Sequence, residues 1–176
     1  MTPKIAAAIA GLSLVLGISI GMAAKQTGGG VAVIQGLGAH DAGIAALAEA
    51  ERLAGRGSWE LIAVGRVYYL SGDKEHGQSL FDRATSGTQE SADYARLGRV
   101  YAEAGEPAKA TDSFQKMLDL EPKDTTVLAE AGAWYLRIGN RAKGEDLLAQ
   151  VLKKHPGDMD SYLRASEALL QVAEGN

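Results

Sequence analysis

Small and large apolar residues recur along the chain at a nearly constant interval of about 34 residues. A tyrosine lies three residues after each glycine of one series, and a large apolar residue lies nine residues after each glycine of a second series. The two series are Gly65, Gly98 and Gly132, and Gly72, Gly105 and Gly139. A fixed interval of this length, called here the repeat length, predicts an array of repeated structural units.

Each unit is predicted to be two helices that cross closely. Small residues at the crossing let the helices approach, and the tyrosines and Phe or Leu residues fill the space between them. The second glycine series occupies the tight turns, and a helix start follows each turn, at Asp73, Glu106-Pro107 and Asn140. We expect Ser91, Asp124 and Asp158 to cap the first helices of the later units.

The middle unit carries the most specific motif. It reads Tyr94-x-x-Leu97-Gly98-x-x-Tyr101, followed by Ala110-x-x-x-Phe114 and Pro122. This series resembles the tetratricopeptide repeat (TPR), with tyrosine in place of the usual tryptophan. The resemblance covers about 100 residues, or three repeat lengths. It implies an all-α, TPR-like solenoid of helical hairpins, with about three repeats and a closing helix behind an N-terminal transmembrane or signal helix.

The same register extends beyond the three units. Gly43 and Leu47 lie one repeat length before Gly77 and Phe81, so the segment from His40 to Ala54 is predicted to be the second helix of a degenerate leading repeat. Downstream, Asp158 to Ala173 is predicted to be one closing helix that covers the last apolar face. The predicted divisions are a membrane or signal segment at 1–25, a Gly-rich linker at 26–38, the degenerate leading helix at 39–56, and the array with its cap at 57–174.

Residues 5–24 carry no charged side chain. Twenty helical residues span about 30 Å, the thickness of a bilayer core. A retained anchor and a cleaved signal both agree with this run, and Gly21-Met22-Ala23 or Met22-Ala23-Ala24 is a candidate cleavage site. The small residues proposed to pack the membrane helix against a neighbour are Gly11, Gly17 and Gly21. The positive-inside tendency leaves Lys4 in the cytoplasm and the repeats outside it.

Composition excludes several classes of function. The chain has 18 lysines and arginines against 22 aspartates and glutamates, a net charge of −4, which argues against a nucleic-acid binder. It has no cysteine, so no disulfide or thiolate site forms. The histidines, at His40, His76 and His155, are far apart and form no metal-ligand pair. We expect no enzyme activity, cofactor, metal or small-molecule substrate.

The predicted site is a surface. In proteins that the repeat resembles, the first helices of successive units line a concave groove that holds a partner's peptide or helix. On this register the groove residues are Trp59, Ile62, Arg66, Tyr69, Arg96, Arg99, Arg137 and Arg164. A row of arginines favours an acidic partner segment or a terminal carboxylate. The alternative is that these arginines pair with Glu103, Glu130 and Glu167 and only solvate the surface.

These features predict a membrane-tethered scaffold for protein–protein interaction. It would hold a partner at the outer face of a bacterial cytoplasmic membrane, with the repeats in the periplasm, during assembly or stabilisation of an envelope complex. That transfer rests on fold-level resemblance. Two alternatives stay open: an integral accessory subunit docked through its membrane helix, and a soluble periplasmic binding or chaperone protein released by cleavage.

Overall fold

The computed structural model describes residues 30–170 and residue 172, and within them it contains eight α-helices and no strand. A short 3₁₀ turn at Val31–Val33 comes before the first helix. The helices are α1 (Ala39–Leu53), α2 (Ser58–Ser71), α3 (Lys74–Ala84), α4 (Ser91–Glu103), α5 (Pro107–Leu120), α6 (Thr125–Arg137), α7 (Arg141–Lys154) and α8 (Met159–Leu169). The all-helical, TPR-like solenoid predicted from the spacing is therefore present.

Successive helices pack as hairpins, α2 with α3, α4 with α5 and α6 with α7. Glycines lie where the helices cross: a Cβ added to Gly77 would lie 2.7 Å from the carbonyl oxygen of Gly65. In the third hairpin a Cβ on Gly144 would lie 2.8 Å from the carbonyl oxygen of Gly132. These distances are shorter than van der Waals contact. The prediction that small residues permit the close crossing is confirmed.

The hairpins share one continuous core. Aromatic side chains bridge neighbouring helices, with the rings of Tyr69 and Phe81 at 5.5 Å and those of Phe81 and Tyr101 at 5.9 Å. Phe114 repeats this role in the second hairpin and is fully buried. Burying several aromatic rings along one axis makes each unit depend on its neighbours, as in other repeat arrays.

The turns within the hairpins contain the second glycine series. Gly72, Gly105 and Gly139 have φ values of 112°, 72° and 87°, a backbone region that favours glycine. The predicted caps Asp124 and Asp158 accept backbone N–H groups at the starts of α6 and α8. Ser91 does not cap α4. It is the first residue of that helix, and its hydroxyl donates to Glu121 instead.

The two ends of the array are less regular. The predicted leading helix is α1, which packs against α2, and the described part of the preceding linker contains only the 3₁₀ turn. The predicted closing helix is α8, which packs mainly against α6. No helix within residues 30–170 is long and apolar enough to cross a membrane. The uncharged run at 5–24, with Gly11, Gly17 and Gly21, lies outside the described residues.

Candidate functional site

A groove of about 880 Å³ runs across the first helices of the three hairpins, α2, α4 and α6. Six of the eight side chains predicted for the binding surface line it, and they are Trp59, Ile62, Arg66, Arg96, Arg99 and Arg137. The remaining walls include Glu103, the turn residue Gly105 and Pro107, the first residue of α5. The geometry therefore brings together most of the predicted surface, along one face of the solenoid.

The largest apolar side chains of the groove are two tryptophans and two isoleucines. Trp59, at the start of α2, is 59% exposed and lines the groove, whereas Ile62 is buried and forms part of the floor. Trp134 of α6 stacks on Phe114, with ring centroids 5.7 Å apart, and Ile138 also lines the groove. The indole Nε1 of Trp134 is buried without a hydrogen-bond partner. Large, half-exposed aromatic side chains such as Trp59 often supply most of the binding energy at an interface.

The arginines of the groove make ion pairs with neighbouring helices. Arg66 donates two hydrogen bonds to Glu103, at 2.9 and 2.5 Å, and both side chains are about half exposed. Arg99 also pairs with a glutamate of the next first helix, Glu130 of α6. These are two of the pairings that the sequence left open as an alternative. Because both guanidinium groups are water-accessible, a partner carboxylate can reach each of them.

Arg96 differs from Arg66 and Arg99. Its Nη1 donates to Oδ1 of Asp93 over 2.9 Å, and the Asp93 side chain is only 2% exposed. A buried carboxylate needs a cation or several hydrogen bonds to remain charged. Arg96 therefore supports the fold of α4 as well as lining the groove.

Tyr69 does not line the groove. Its ring is 1% exposed and packs between Phe81 and Tyr101, because α2 turns this position towards α3 and α4. Its hydroxyl donates to Glu106 over 2.7 Å and accepts a hydrogen bond from Lys109 over 2.7 Å. The sequence prediction for this residue was wrong, and its role is in packing.

The carboxylate of Glu106, next to the groove residues Gly105 and Pro107, accepts hydrogen bonds from three side chains. Hydrogen bonds from Lys74, Lys109 and Tyr69 lower the pKa of its carboxyl from 4.5 to about 2. The hydrogen bonds that Lys109 makes to Tyr69 and Glu106 raise the pKa of its ammonium group. The Glu106 carboxylate is therefore ionised at neutral pH, and its contacts hold the turn at Gly105 and the start of α5 at Pro107, both of which line the groove.

Two other predicted residues lie towards the C-terminal end. Arg137 lines the groove, with its guanidinium 5.1 Å from the centre of the Trp134 ring and Nη2 3.4 Å from the backbone oxygen of Val172. Arg164 does not reach the groove. It lines a separate depression between α6 and α8, beside Thr126 and Asp158.

Sequence reasoning missed Trp134 and Ile138. A signal was available, since Trp134 is one of only two tryptophans in the chain and lies on a first helix. On α6 the groove is lined by residues of the last turn, Trp134, Arg137 and Ile138, of which the sequence predicted only Arg137.

The histidines take no part in the groove. His76 lies between two helices, with Nε2 2.9 Å from Oε2 of Glu51 and its ring 4.4 Å from that of Tyr68. The hydrogen bond from His76 lowers the pKa of the Glu51 carboxyl. Across the part of the chain that the structure describes, no group of His, Asp and Glu side chains could hold a metal ion. The contact of His76 with Glu51 joins α3 to α1.

Comparisons with known proteins support the repeat itself. Residues 101–171 match the family model of the tetratricopeptide repeat. Over 136 residues the chain is 26% identical to the BBSome complex member BBS4 of Bos taurus, covering 76% of this chain and 26% of that protein. It is 24% identical over 117 residues to the protein CTR9 homolog of Arabidopsis thaliana, covering 64% of this chain and 11% of that protein.

A solved structure, described as YrrB, a TPR protein with an unusual peptide-binding site, is also similar. Its TM-score is 0.47 at 21% identity, covering 73% of this chain and 70% of that chain. The chain spans about a quarter or less of the curated relatives it matches. The family match and the repeated hairpins support a tetratricopeptide repeat protein, a fold that suggests a scaffold for protein–protein interaction.

Proposed function

We propose that this chain is a membrane-tethered scaffold that binds an acidic, partly apolar segment of a partner protein in the groove of α2, α4 and α6. The partner complex is one of the bacterial cell envelope, assembled or stabilised at the outer face of the cytoplasmic membrane. The observation that carries the proposal is the groove itself: about 880 Å³, with an exposed Trp59 at one end and four arginines along its walls.

Charge favours an acidic occupant. Four arginines line the groove, against the single glutamate Glu103 among the lining residues. Both guanidinium groups are about half exposed, so a partner carboxylate can reach them. Glu103 is also half exposed and is replaced at lower cost than Glu130, which is 17% exposed. A guanidinium binds a carboxylate through two parallel hydrogen bonds, which gives direction as well as attraction. Trp59 then supplies the apolar contact.

The test is a pull-down from mildly solubilised membranes with a charge-reversed groove. We expect Arg66→Glu/Arg99→Glu to lose the partners that the unmodified chain retains. The matched control is Arg52→Glu/Arg141→Glu, because these exposed arginines also pair with glutamates, Glu49 and Glu145, but lie outside the groove. Equal loss in both double variants, or loss in neither, would contradict the groove as the binding site.

A fluorescence titration tests the groove directly. The chain has two tryptophans, Trp59 and Trp134, and both line the groove. A synthetic peptide of the captured partner's acidic segment should shift the emission of the full chain, and the affinity should fall with added salt. Trp59→Ala should weaken binding about tenfold or more, the loss typical of an interface anchor. A partner peptide that binds without changing the emission would place the site elsewhere.

The tether is tested separately. The support for it is the uncharged run at 5–24. We expect an intact mass that includes Met1 and a chain that leaves the membrane fraction only with detergent. A mass that corresponds to a mature chain beginning near residue 25 would contradict the tethered scaffold and favour a soluble periplasmic binding protein.

An accessory subunit of a membrane complex is the second candidate. The spacing Gly17-x-x-x-Gly21 within the uncharged run favours it, because two glycines on one helix face allow close packing with another membrane helix. Partners that still bind the Arg66→Glu/Arg99→Glu variant but no longer bind the Gly17→Leu/Gly21→Leu variant would support docking through the membrane helix over binding in the groove.

A further inference from the structure

The last helix presents apolar side chains outward. The residues Tyr162, Ala165, Ser166 and Leu169 of α8 each lie one repeat length after a residue of α6, namely Leu128, Ala131, Gly132 and Tyr135. The four α6 residues are buried in the hairpin with α7. In α8, by contrast, Tyr162 is 49% exposed and Leu169 is 53% exposed. The face that receives a second helix in each complete hairpin is thus not covered by any described helix.

The inward face of α8 is correspondingly small and polar. Its buried residues are Ser161 and Ala168, whereas Met159, Leu163 and Leu170 are exposed beside Tyr162 and Leu169. Terminal helices of repeat arrays usually present a polar outer face that keeps the array soluble. A helix that buries its small residues and exposes its large ones is suited to a partner on the outer side.

The first helix has the opposite deficiency. The residues Gly43, Ala46, Leu47 and Ala50 of α1 each lie one repeat length before a buried residue of α3, namely Gly77, Leu80, Phe81 and Ala84. Of the α1 set only Leu47 is buried. A Cβ on Gly43 would meet nothing within 4 Å, where one on Gly77 would meet the backbone of α2. Gly43 therefore leaves a gap on α1 that could receive a first helix, called here the glycine notch, and no described helix fills it.

The two ends are therefore complementary halves of one hairpin. Among the described helices, α8 is a first helix without a second, and α1 is a second helix without a first. The three complete hairpins show what each face accepts. In each of them the first helix packs against a second helix that carries a small residue and, four positions later, a large apolar one, as in Gly77 and Phe81. Gly43 and Leu47 have that same spacing on α1.

We propose that copies of this chain associate head to tail, with α8 of one copy packed against α1 of the next so that each junction completes a hairpin. The contact is heterologous, and it produces open-ended filaments or closed rings according to the angle at each junction. The groove lies on α2, α4 and α6, so it stays accessible in the assembly. The proposal does not depend on the identity of the groove's occupant.

Self-association of the full chain in detergent micelles is the first test. Sedimentation velocity should show assembly that grows with protein concentration. Leu169→Glu blocks the α8 face and Ala46→Glu blocks the α1 face, and each should weaken self-association at least about tenfold by burying a charge in an apolar contact. The control is Leu120→Glu, an exposed leucine on α5 in the middle of the array. All three substituted residues are exposed, so the monomer should fold in each variant.

A mixing experiment identifies the geometry. Each blocked variant retains one intact end, so an equimolar mixture of Leu169→Glu and Ala46→Glu should form a heterodimer that grows no further. Because the chain contains no cysteine, a Gly43→Cys chain mixed with a Ser166→Cys chain should also form a disulfide-linked dimer. Gly43→Cys mixed with Leu120→Cys should not.

The overturning results are equally specific. A full chain that stays monomeric at every concentration contradicts the proposal. So does assembly that neither blocking substitution weakens, which would place the contact in another segment such as residues 1–29. Loss of assembly in Leu169→Glu alone, with Ala46→Glu unchanged, would show that α8 pairs with something other than α1.

Discussion

The hydroxyl of Tyr69 donates a hydrogen bond of 2.7 Å to Oε2 of Glu106, and this contact joins the first hairpin to the turn between the two helices of the second. Lys74 and Lys109 pair with the same carboxylate, at 2.5 and 2.9 Å. The ammonium groups also lie over the face of the Tyr69 ring, 5.4 and 5.3 Å from its centre. One carboxylate thus holds two cations and a buried tyrosine at the junction, so the stability of the junction depends on its ionisation.

Acid should weaken this junction in a defined window. The folded state holds the pKa of Glu106 at about 2, below its ordinary value of 4.5. A lowered pKa in the folded state stabilises the fold above the unfolded pKa, and the stabilisation is lost as pH falls from 4.5 towards 2. We expect Glu106→Gln to lower the free energy of unfolding by about 1 kcal/mol at pH 7, allowing for the exposure of both lysines. The difference should shrink below pH 4, as measured by urea denaturation.

Glu145→Gln is the control for that measurement. Glu145 is half exposed and pairs with Arg141 on the same helix, so its loss should change stability by less than about 0.5 kcal/mol. A deficit in Glu106→Gln that is as large at pH 3 as at pH 7 would show that packing, not charge, is the contribution of this residue.

Two glycines that are equivalent in the repeat should respond oppositely to alanine. A Cβ on Gly77 would lie 2.7 Å from the Gly65 oxygen and 2.8 Å from the Tyr69 backbone nitrogen, and helix backbone cannot move aside cheaply. We expect Gly77→Ala to destabilise by about 1–3 kcal/mol. Gly43 has open space around it, so Gly43→Ala should stabilise α1 by about 0.5–1 kcal/mol. Thermal unfolding at low protein concentration, where association does not contribute, measures both.

The fold could be predicted from the sequence because its determinants are local and periodic. Gly65 and Gly77 mark a helix crossing, and Gly105 marks a turn, by identity and spacing alone. Gly43 shows where that reasoning ends. The spacing makes it equivalent to Gly77, but whether a helix fills the notch depends on a packing partner that no spacing within α1 specifies.

The groove was predictable in outline and not in detail. Arg66 and Arg99 both line the groove because they occupy equivalent positions on α2 and α4. Tyr69 was misplaced because it occupies a position where the other units carry Ala102 and Leu136, and a large ring there turns into the core. The rotation of each helix about its own axis decides which residues face the groove, and that rotation is set by packing against neighbours.

Two groove arginines should differ in their effect on stability. Arg96→Ala would leave the carboxylate of Asp93, 2% exposed, without its cation, and we expect a loss of about 2–4 kcal/mol. Arg66→Ala removes an exposed pair and should cost less than about 1 kcal/mol. Urea denaturation of both variants measures the difference, and Arg96→Ala/Asp93→Asn should recover part of the loss. Equal costs for the two alanine variants would mean that Asp93 is satisfied without Arg96.

The helix caps of α4 and α6 provide a further matched pair. The side chain of Asp124 accepts the backbone N–H groups of Thr126 and Val127 at 2.8 and 3.0 Å, whereas Glu90, at the same place before α4, makes no such bond. We expect Asp124→Ala to lower the free energy of unfolding by about 1 kcal/mol, and Glu90→Ala to change it by less than about 0.5 kcal/mol. Asp124→Asn should retain most of the stability, because the amide oxygen accepts the same bonds. If Glu90→Ala costs as much as Asp124→Ala, negative charge near the helix N-terminus stabilises these helices more than the capping hydrogen bonds do.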